Sequence, residues 1–252
     1  MEKLLDINQD GYSIRCKIYY AKEFRQIEEV VIATYGFGGS KENKGIAKMA
    51  ERFLGKRKNG AVLVFDWPCM GADARKKLLL SECLTYLTLV IQYAKETLHA
   101  TKLYNYSTSF GAFMTLKYIG EVEQPWDRIV LRSAAICLDR TMNQSISPED
   151  HEKLKKGKEV LAGHERQLKI DQAFLDDLAK TDLMHQDFMG IADQCLLIHG
   201  TKDAMIPLEE IQEFSENNVI DLVIVEQADH GFMDPSKMDF AIAKTIEFLI
   251  EE

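Results

Sequence analysis

The sequence predicts an α/β fold with a mostly parallel sheet covered by helices on both faces. Continuous apolar runs of strand length alternate with longer segments of helical periodicity through most of the chain. Near the N-terminus, DGYSIRCKIYYAKE instead alternates around Ile14, Cys16, Ile18 and Tyr20, which is typical of one strand in an antiparallel hairpin. A charged stretch from about residue 138 to residue 186 then interrupts this alternation of strands and helices, and it contains no convincing strand.

The elements follow each other in a regular order after the hairpin. The predicted strands are EEVVIATYG, AVLVFDWP, KLYNYS, RIVLRSAAI, QCLLIHG and IDLVIVE. The predicted helices are NKGIAKMAERFLGKR, SECLTYLTLVIQYAKETL, FGAFMTLKYIG, PLEEIQEFSENN and SKMDFAIAKTIEFLIEE, the second of them with Ser81 as a candidate N-cap. Together with the hairpin, these strands predict an eight-stranded sheet flanked by helices.

Residues 138–186 are predicted to form a helical cap, or lid, within a single domain spanning residues 1–252. The stretch contains two helical patterns, PEDHEKLKKGKEVLAG and DQAFLDDLAK. Ligands bind at the carboxyl ends of parallel strands, which is where an insertion between two strands lies. The alternative is a helical excursion on the surface with no role in binding.

Composition and charge narrow the classes of function. A formal charge of −9 and a pI near 5.3 argue against a nucleic-acid partner, which requires clustered Lys and Arg. The cysteines show neither zinc-knuckle nor Cys-x-x-Cys spacing, and the histidines show no metal-ligand spacing. No signal-peptide pattern and no membrane-spanning stretch is visible. We therefore expect a cytoplasmic protein with reduced thiols, no metal and no membrane partner.

The stretch Ser107-Thr-Ser109-Phe-Gly111 joins a predicted strand to a predicted helix. A sharp turn at such a junction exposes a serine as a nucleophile, and it requires small residues two positions before and after that serine. The usual form has glycine at both flanking positions, so Ser107 departs from it by one hydroxymethyl group. A simple N-cap role for the serine explains this stretch equally well.

Two residues elsewhere in the chain favour the nucleophile. Asp203 follows QCLLIHG and His230 follows IDLVIVE, so Ser109, Asp203 and His230 each lie just after a predicted strand. Parallel strands bring these ends to one edge of the sheet, where a serine, a base and an orienting acid can meet. Taken singly, Asp203 is also explained as a helix cap and His230 as an exposed loop residue.

The order and surroundings of these residues resemble the α/β-hydrolase fold family over nearly the whole chain. Within it, the chain is similar to small bacterial carboxylesterases of the serine-aminopeptidase-like group, which includes feruloyl (cinnamoyl) esterases. The segments that carry the resemblance are YGFGGSKEN, FDWPCMGAD, HGTKDAMIPLE and ADHGF. Three positions depart from the usual pattern: Tyr35 replaces a histidine, Cys69 replaces a glycine, and Ser107 replaces the first glycine of the serine motif.

The resemblance also implies an oxyanion hole, in which preorganised N–H groups face the developing negative oxygen. One donor is expected to be the backbone N–H of Phe110, which follows the nucleophile. By resemblance, the second is the N–H of Phe37. Gly36, Gly38 and Gly39 would let that loop bend close to the site.

Other readings of the same residues remain. Gly36-x-Gly38 followed by Asp66 mimics a dinucleotide fingerprint, but Lys41 occupies the third glycine position, and we interpret Asp66 as a turn-stabilising residue. Cys69 is an alternative nucleophile, interpreted instead as a buried thiol. Two carboxylates near the site also have readings of their own: Asp139 is a weaker candidate acid, and Asp229 is expected to bond within its loop.

The resemblance implies a serine hydrolase, specifically a carboxylesterase, that cleaves small carboxylic esters without a cofactor; a homodimer is left open. A peptidase or amidase, a thioesterase or an acyltransferase would use the same triad. A peptidase would need an acidic cluster in the cap, for which the candidates are Glu149, Asp150, Asp176 and Asp177. A ligand-binding protein without turnover is the alternative from another class.

Overall fold

A computed structural model describes residues 1–21, 27–163 and 167–251. Its strands are β1 (Glu2–Gln9), β2 (Tyr12–Tyr20), β3 (Glu29–Thr34), β4 (Gly60–Phe65), β5 (Lys102–Thr108), β6 (Arg128–Arg132), β7 (Val160–Ala162), β8 (Leu168–Ile170), β9 (Cys195–Gly200) and β10 (Asp221–Val225). Its α-helices are α1 (Lys44–Lys56), α2 (Leu80–Gln92), α3 (Phe110–Glu121), α4 (Leu138–Ser145), α5 (Pro148–Lys155), α6 (Gln172–Ala179), α7 (Leu208–Asn218) and α8 (Pro235–Ile250).

Eight strands form one sheet in the order β1-β2-β4-β3-β5-β6-β9-β10. The pairs β1–β2 and β2–β4 are antiparallel, whereas β4, β3, β5, β6, β9 and β10 run parallel to one another. Every residue of β3, β4 and β9 is buried, as expected for strands covered by helices on both faces. The predicted mostly parallel, eight-stranded sheet is therefore confirmed.

One predicted helix start is wrong. α2 begins at Leu80, and its N-cap position is Leu79, which makes no side-chain capping bond. Ser81 lies inside the helix, because the fully buried Leu80 already belongs to the first turn. Core packing sets this helix start more strongly than the capping preference of serine does.

The segment 138–186 lies between β6 and β9 and contains α4, α5 and α6. It also contains the antiparallel pair β7–β8, so the expectation of no strand there was wrong. Each of these strands has three residues, which is too short to produce a readable alternation. Residues 164–166, including His164, lie outside the described residues. A cap function for the segment remains a prediction.

Candidate active site

Ser109 occupies a tight turn between β5 and α3. Its backbone has φ 52° and ψ −116°, a conformation that costs a non-glycine residue energy and persists only where its surroundings enforce it. One such constraint is the backbone N–H of Ser109, which donates to the carbonyl of Arg132 at 3.1 Å. The serine therefore projects from the end of the strand instead of continuing it.

The flanking residues show why this turn needs small side chains. A Cβ atom on Gly111 would lie 2.3 Å from Thr34 Oγ1 and 3.0 Å from the Tyr35 carbonyl oxygen. Neither approach is compatible with a side chain at this position. Gly111 thus lets α3 begin directly against β3.

Ser107 fits because its hydroxyl joins a buried set of polar groups. Its Oγ accepts a hydrogen bond from Thr34 at 2.8 Å, lies 2.7 Å from Asn105 Oδ1 and lies 2.8 Å from Thr115 Oγ1. Asn105 Nδ2 in turn donates to Thr115 at 3.3 Å. The hydroxymethyl group that departs from the usual glycine is therefore satisfied, as is the asparagine within a buried strand.

The structure brings Ser109, His230 and Asp203 together. His230 Nε2 lies 3.0 Å from Ser109 Oγ, and His230 Nδ1 lies 2.7 Å from Asp203 Oδ2. Since an ionised carboxylate only accepts hydrogen bonds, Nδ1 carries the proton, and the lone pair of Nε2 faces the serine hydroxyl. This arrangement can accept the proton of an attacking hydroxyl.

The Asp203 carboxylate is fully buried and held on both oxygens. Its Oδ1 accepts the backbone N–H groups of Met205 and Ile206, each at 2.9 Å. Burial by itself would raise the pKa of Asp203, but the hydrogen bond and charge of His230 and the Ile206 N–H outweigh burial and lower it. The carboxylate therefore stays ionised beside the imidazole.

Two residues at this edge escaped the sequence analysis. Ser133, with φ 50°, donates its hydroxyl to the His230 carbonyl oxygen at 2.9 Å and so ties β6 to the histidine loop. His199 is fully buried; its Nε2 lies 3.0 Å from the Ile206 carbonyl oxygen and 3.6 Å from Asp203 Oδ2. Burial lowers the pKa of His199 although Asp203 opposes that effect, so this second imidazole stays neutral.

The loop that contains Phe37 lies against Ser109. A Cβ atom on Gly36 would be 3.1 Å from Ser109 Cβ, Gly38 has φ 78°, and Gly39 N donates to the Gly36 carbonyl at 3.1 Å. At the first position of α3, the N–H of Phe110 has no intrahelical acceptor. Both proposed oxyanion donors thus belong to segments that adjoin Ser109.

An aromatic contact links this loop to the segment 138–186. The Phe37 ring lies 5.9 Å from the Phe110 ring and 6.3 Å from the ring of Phe174, which is buried on α6. Such contacts are ordinary aromatic packing distances. α6 therefore packs directly over the loop beside Ser109.

Asp66 is occupied by contacts within its own loops, as the turn-stabilising interpretation predicts. Its carboxylate accepts from Lys41 N at 2.7 Å, Lys41 Nζ at 2.9 Å, Ala72 N at 2.8 Å and the Tyr35 hydroxyl at 3.1 Å. The Tyr35 hydroxyl also accepts from Trp67 N at 2.9 Å. Tyr35 thus occupies the position of the usual histidine and packs there. The Asp66 carboxylate already accepts four hydrogen bonds, so it has little capacity left to bind the ribose of a dinucleotide.

The other candidates make contacts that do not lead to the serine. Cys69 is half-buried and not fully buried as expected. Desolvation, with help from Asp73, still raises the pKa of its thiol to about 12, so this thiol stays protonated and is a poor nucleophile. Asp139 accepts a hydrogen bond from Asn143 at 2.8 Å. Asp229 accepts from the backbone of Met233 at 2.8 Å, which is the loop bond expected of it.

The described residues contain neither a candidate metal site nor a candidate membrane span. No group of three or more His, Cys, Asp or Glu side chains in residues 1–21, 27–163 and 167–251 is arranged to hold a metal ion. Within the same residues, no helix combines the length and the apolar character needed to cross a bilayer.

No protein-family model matches the chain, and no curated protein sequence matches it. Solved structures do match. Est1E from Butyrivibrio proteoclasticus with ferulic acid bound is 19% identical, covers 98% of both chains and has a TM-score of 0.79. The Pyrococcus furiosus esterase Pf2001 is 18% identical over 99% of this chain and 91% of its own, with a TM-score of 0.69.

A monoacylglycerol lipase from Paleococcus ferrophilus is also similar. It is 16% identical, covers 94% of this chain and 98% of its own, and has a TM-score of 0.70. Likeness at this level of identity establishes the fold, and the chain has the α/β-hydrolase fold.

Proposed function

We propose that the protein is a serine hydrolase that cleaves small carboxylic esters. The observation that carries the proposal is the continuous chain of hydrogen-bond distances from Ser109 Oγ through the His230 imidazole to the buried Asp203 carboxylate. A serine held in a strained turn with a base at 3.0 Å has the geometry that nucleophilic catalysis requires.

The proposed reaction begins when His230 Nε2 takes the Ser109 proton as Oγ attacks the acyl carbon. Asp203 keeps the imidazole in the tautomer that has a free Nε2 and stabilises the imidazolium that forms. The N–H groups of Phe110 and Phe37 hold the oxyanion, and each such donor is typically worth about 3 kcal/mol.

His230 then gives its proton to the leaving alcohol, and an acyl-enzyme on Ser109 remains. In the second half of the reaction, water attacks the acyl carbon while His230 removes a proton from the water. The tetrahedral intermediate collapses, the carboxylic acid leaves and the proton returns to Ser109. The chain's own residues supply every proton transfer, so the scheme requires no cofactor.

An ester is the favoured substrate class for two reasons. The similar structures include two esterases and a lipase. A peptidase would need free acidic side chains in the cap to hold the substrate amine. Two of the four candidates already have partners, since Asp150 pairs with Lys153 at 2.7 Å and Asp176 accepts from Gln172 at 2.8 Å. We further propose that residues 138–186 act as a cap, because Phe174 contacts Phe37.

The direct test compares the wild-type protein with Ser109→Ala on p-nitrophenyl esters of increasing acyl length, with thioester and aminoacyl substrates alongside. We expect ester turnover by the wild type and a loss of about 10⁴-fold or more in the variant. A folded wild-type protein that is as inactive as Ser109→Ala on every ester would contradict the proposal. A preference for thioesters or aminoacyl amides would support the proposed triad but show that esters are not the substrate class.

A further inference from the structure

Arg132 is a buried arginine without a protein acceptor for most of its hydrogen-bond donors. Its side chain, at the last position of β6, packs against the loop that carries His230, and the residue is 7% exposed. Cζ lies 4.8 Å from the centre of the Phe232 ring. Among the described residues, no acceptor lies within hydrogen-bond distance of Nε or Nη1. These two nitrogens carry three of the five N–H donors of a guanidinium.

The other arginines in the described ranges are each bonded to an oxygen. The hydrogen-bond or ion-pair partners are Asp6 for Arg15, Asp239 for Arg52, the carbonyl of Ile250 for Arg57, Glu82 for Arg75, the carbonyl of Asp193 for Arg128, and Glu210 for Arg140. Arg57 Nε also lacks a hydrogen-bond partner, but Arg57 Nη2 donates at 2.8 Å. Most of these side chains are also more exposed to solvent than that of Arg132. The most deeply buried guanidinium is thus the one that lacks an oxygen partner within the described chain.

This combination requires a compensating group. A guanidinium does not lose its proton in a protein, so Arg132 cannot become neutral in response to burial. Buried polar groups are nearly always hydrogen-bonded, and buried charges are nearly always paired. The chain is acidic overall, yet none of its described carboxylates forms an ion pair with Arg132. From these observations we propose that Arg132 binds a small monovalent anion, either a halide or a carboxylate.

The position of this anion site follows from the strand register. Ser107 pairs with Leu131 and Thr108 pairs with Arg132. Because side chains alternate along a strand, and Ser107 contacts Thr115 on α3, Arg132 projects from the opposite face of the sheet. The anion site is therefore separate from the hydroxyl network beneath Ser109.

The site is nevertheless joined to the catalytic edge through the backbone. The Arg132 carbonyl accepts the N–H of Ser109 at 3.1 Å, and the next residue, Ser133, donates to the His230 carbonyl at 2.9 Å. Phe232, whose ring covers the guanidinium, lies two residues after His230. A bound anion would stabilise both the serine turn and the histidine loop. The proposal concerns binding alone and does not depend on the proposed hydrolysis.

The surroundings restrict the anion to a small one. The Phe232 ring covers one face of the guanidinium, and only a small fraction of the residue remains accessible. A chloride, bromide or acetate ion presents one compact charge to the N–H groups, and we expect the small accessible fraction of Arg132 to exclude a bulky sulfonate. Halides and carboxylates share this chemistry, and the experiments below distinguish them.

The most direct test uses crystals of the whole wild-type chain soaked in sodium bromide, with data collected at the bromine absorption edge. We expect an anomalous peak within hydrogen-bond distance of Arg132 Nε or Nη1. Ordered water molecules or a rearranged side-chain acceptor at both nitrogens, in crystals soaked with bromide and in others soaked with acetate, would overturn the proposal. This experiment does not require any variant to fold.

A solution test compares thermal unfolding in sodium chloride, sodium acetate and the sodium salt of the bulky sulfonate MES at equal ionic strength. At ten times its dissociation constant, a bound anion should raise the midpoint by roughly 2–4 °C relative to MES. An increase with chloride alone identifies a halide site, and an increase with acetate identifies a carboxylate site. Equal midpoints in the three salts would contradict the proposal.

Arg132→Met should remove this anion-specific increase. Arg128→Met is the matched control, because Arg128 is on the same strand and lies 5.0 Å from the ring of Phe248, while its Nη1 already donates to the Asp193 carbonyl at 3.1 Å. That variant should keep the full increase. An unchanged response in Arg132→Met would place the anion elsewhere and refute the assignment.

Discussion

Asp66 and Asp203 are two carboxylates with the same burial and nearly the same place in the fold, but with different partners. Each follows a parallel strand, β4 or β9, and each side chain is fully buried. Each also accepts two backbone N–H groups. Asp66 completes its bonding with the permanent cation of Lys41, whereas Asp203 completes it with the imidazole of His230.

This difference separates a structural acid from the acid that we propose to be catalytic. The ammonium group of Lys41 lies 2.9 Å from Asp66, and this ion pair fixes the loops around it. An imidazole gains and loses a proton near neutral pH. A buried carboxylate beside an imidazole can therefore stabilise a charge that exists only during the reaction. Burial and position alone do not distinguish Asp66 from Asp203; the chemical nature of the partner side chain does.

The largest expected effect comes from Asp203→Asn. An amide at this position cannot hold the imidazole in the productive tautomer, so we expect kcat/KM on p-nitrophenyl esters to fall by about 10⁴-fold. Asp229→Asn is the matched control, since Asp229 adjoins His230 but bonds to the Met233 backbone, and it should keep most of the activity. Equal activities in the Asp203→Asn and Asp229→Asn variants would show that Asp203 does not orient the imidazole. The distinction drawn between Asp203 and Asp66 would then fail.

Asp66→Asn should affect stability more than catalysis. The substitution leaves the ammonium group of Lys41, which is 11% exposed, without its counter-charge. Breaking such a pair typically costs about 3 kcal/mol of unfolding free energy, measurable by urea denaturation. Adding Lys41→Met should restore much of that loss. A single variant as stable as the wild type would show that Asp66 does not hold these loops.

The smallest expected effect concerns His199 and the pH dependence of stability. Because burial lowers the pKa of His199, the unfolded chain binds its proton more readily than the folded chain does. His199 therefore stabilises the fold fully above the unfolded pKa of about 6.5, and this contribution falls as pH decreases toward the folded value. The corresponding contribution of Asp203 is lost only below about pH 4, so the two ranges are separate.

His199→Gln keeps a donor for the Ile206 carbonyl but cannot titrate, so its unfolding free energy should vary less between pH 6.5 and pH 5 than that of the wild type. His199→Phe lacks the donor, and it should lose about 1 kcal/mol across the whole range. Urea denaturation at several pH values measures both effects. Parallel curves for the wild type and His199→Gln would show that His199 does not titrate as inferred.

The parts of the molecule predicted from sequence are those with long periodic patterns or distinctive neighbours. Apolar runs alternating with helical patterns predicted the sheet, since its central strands β3, β4 and β9 bury both faces. The positions of Ser109, Asp203 and His230 after three separate strands predicted that their side chains would meet, because parallel strands end at one edge. The role of Asp66 as a turn-stabilising residue followed from its place at the end of a strand.

The features that were missed depend on distances that no local pattern encodes. Ser133 and His199 reach the site through contacts with His230 and Asp203, which lie far along the chain or across a loop. A histidine inside an apolar strand was the available signal for His199. The pair β7–β8 is too short for periodicity, and the start of α2 depends on the packing of Leu80 instead of a capping motif.

The central claim is that Ser109 is an activated nucleophile, and covalent labelling tests it most directly. The wild-type protein is treated with a fluorophosphonate at neutral pH, digested and analysed by mass spectrometry, with Asp203→Asn treated in parallel. The account predicts one adduct on Ser109 that forms rapidly in the wild type and much more slowly in the variant. A folded wild-type protein whose Ser109 stays unmodified, or a label on another residue, would contradict it.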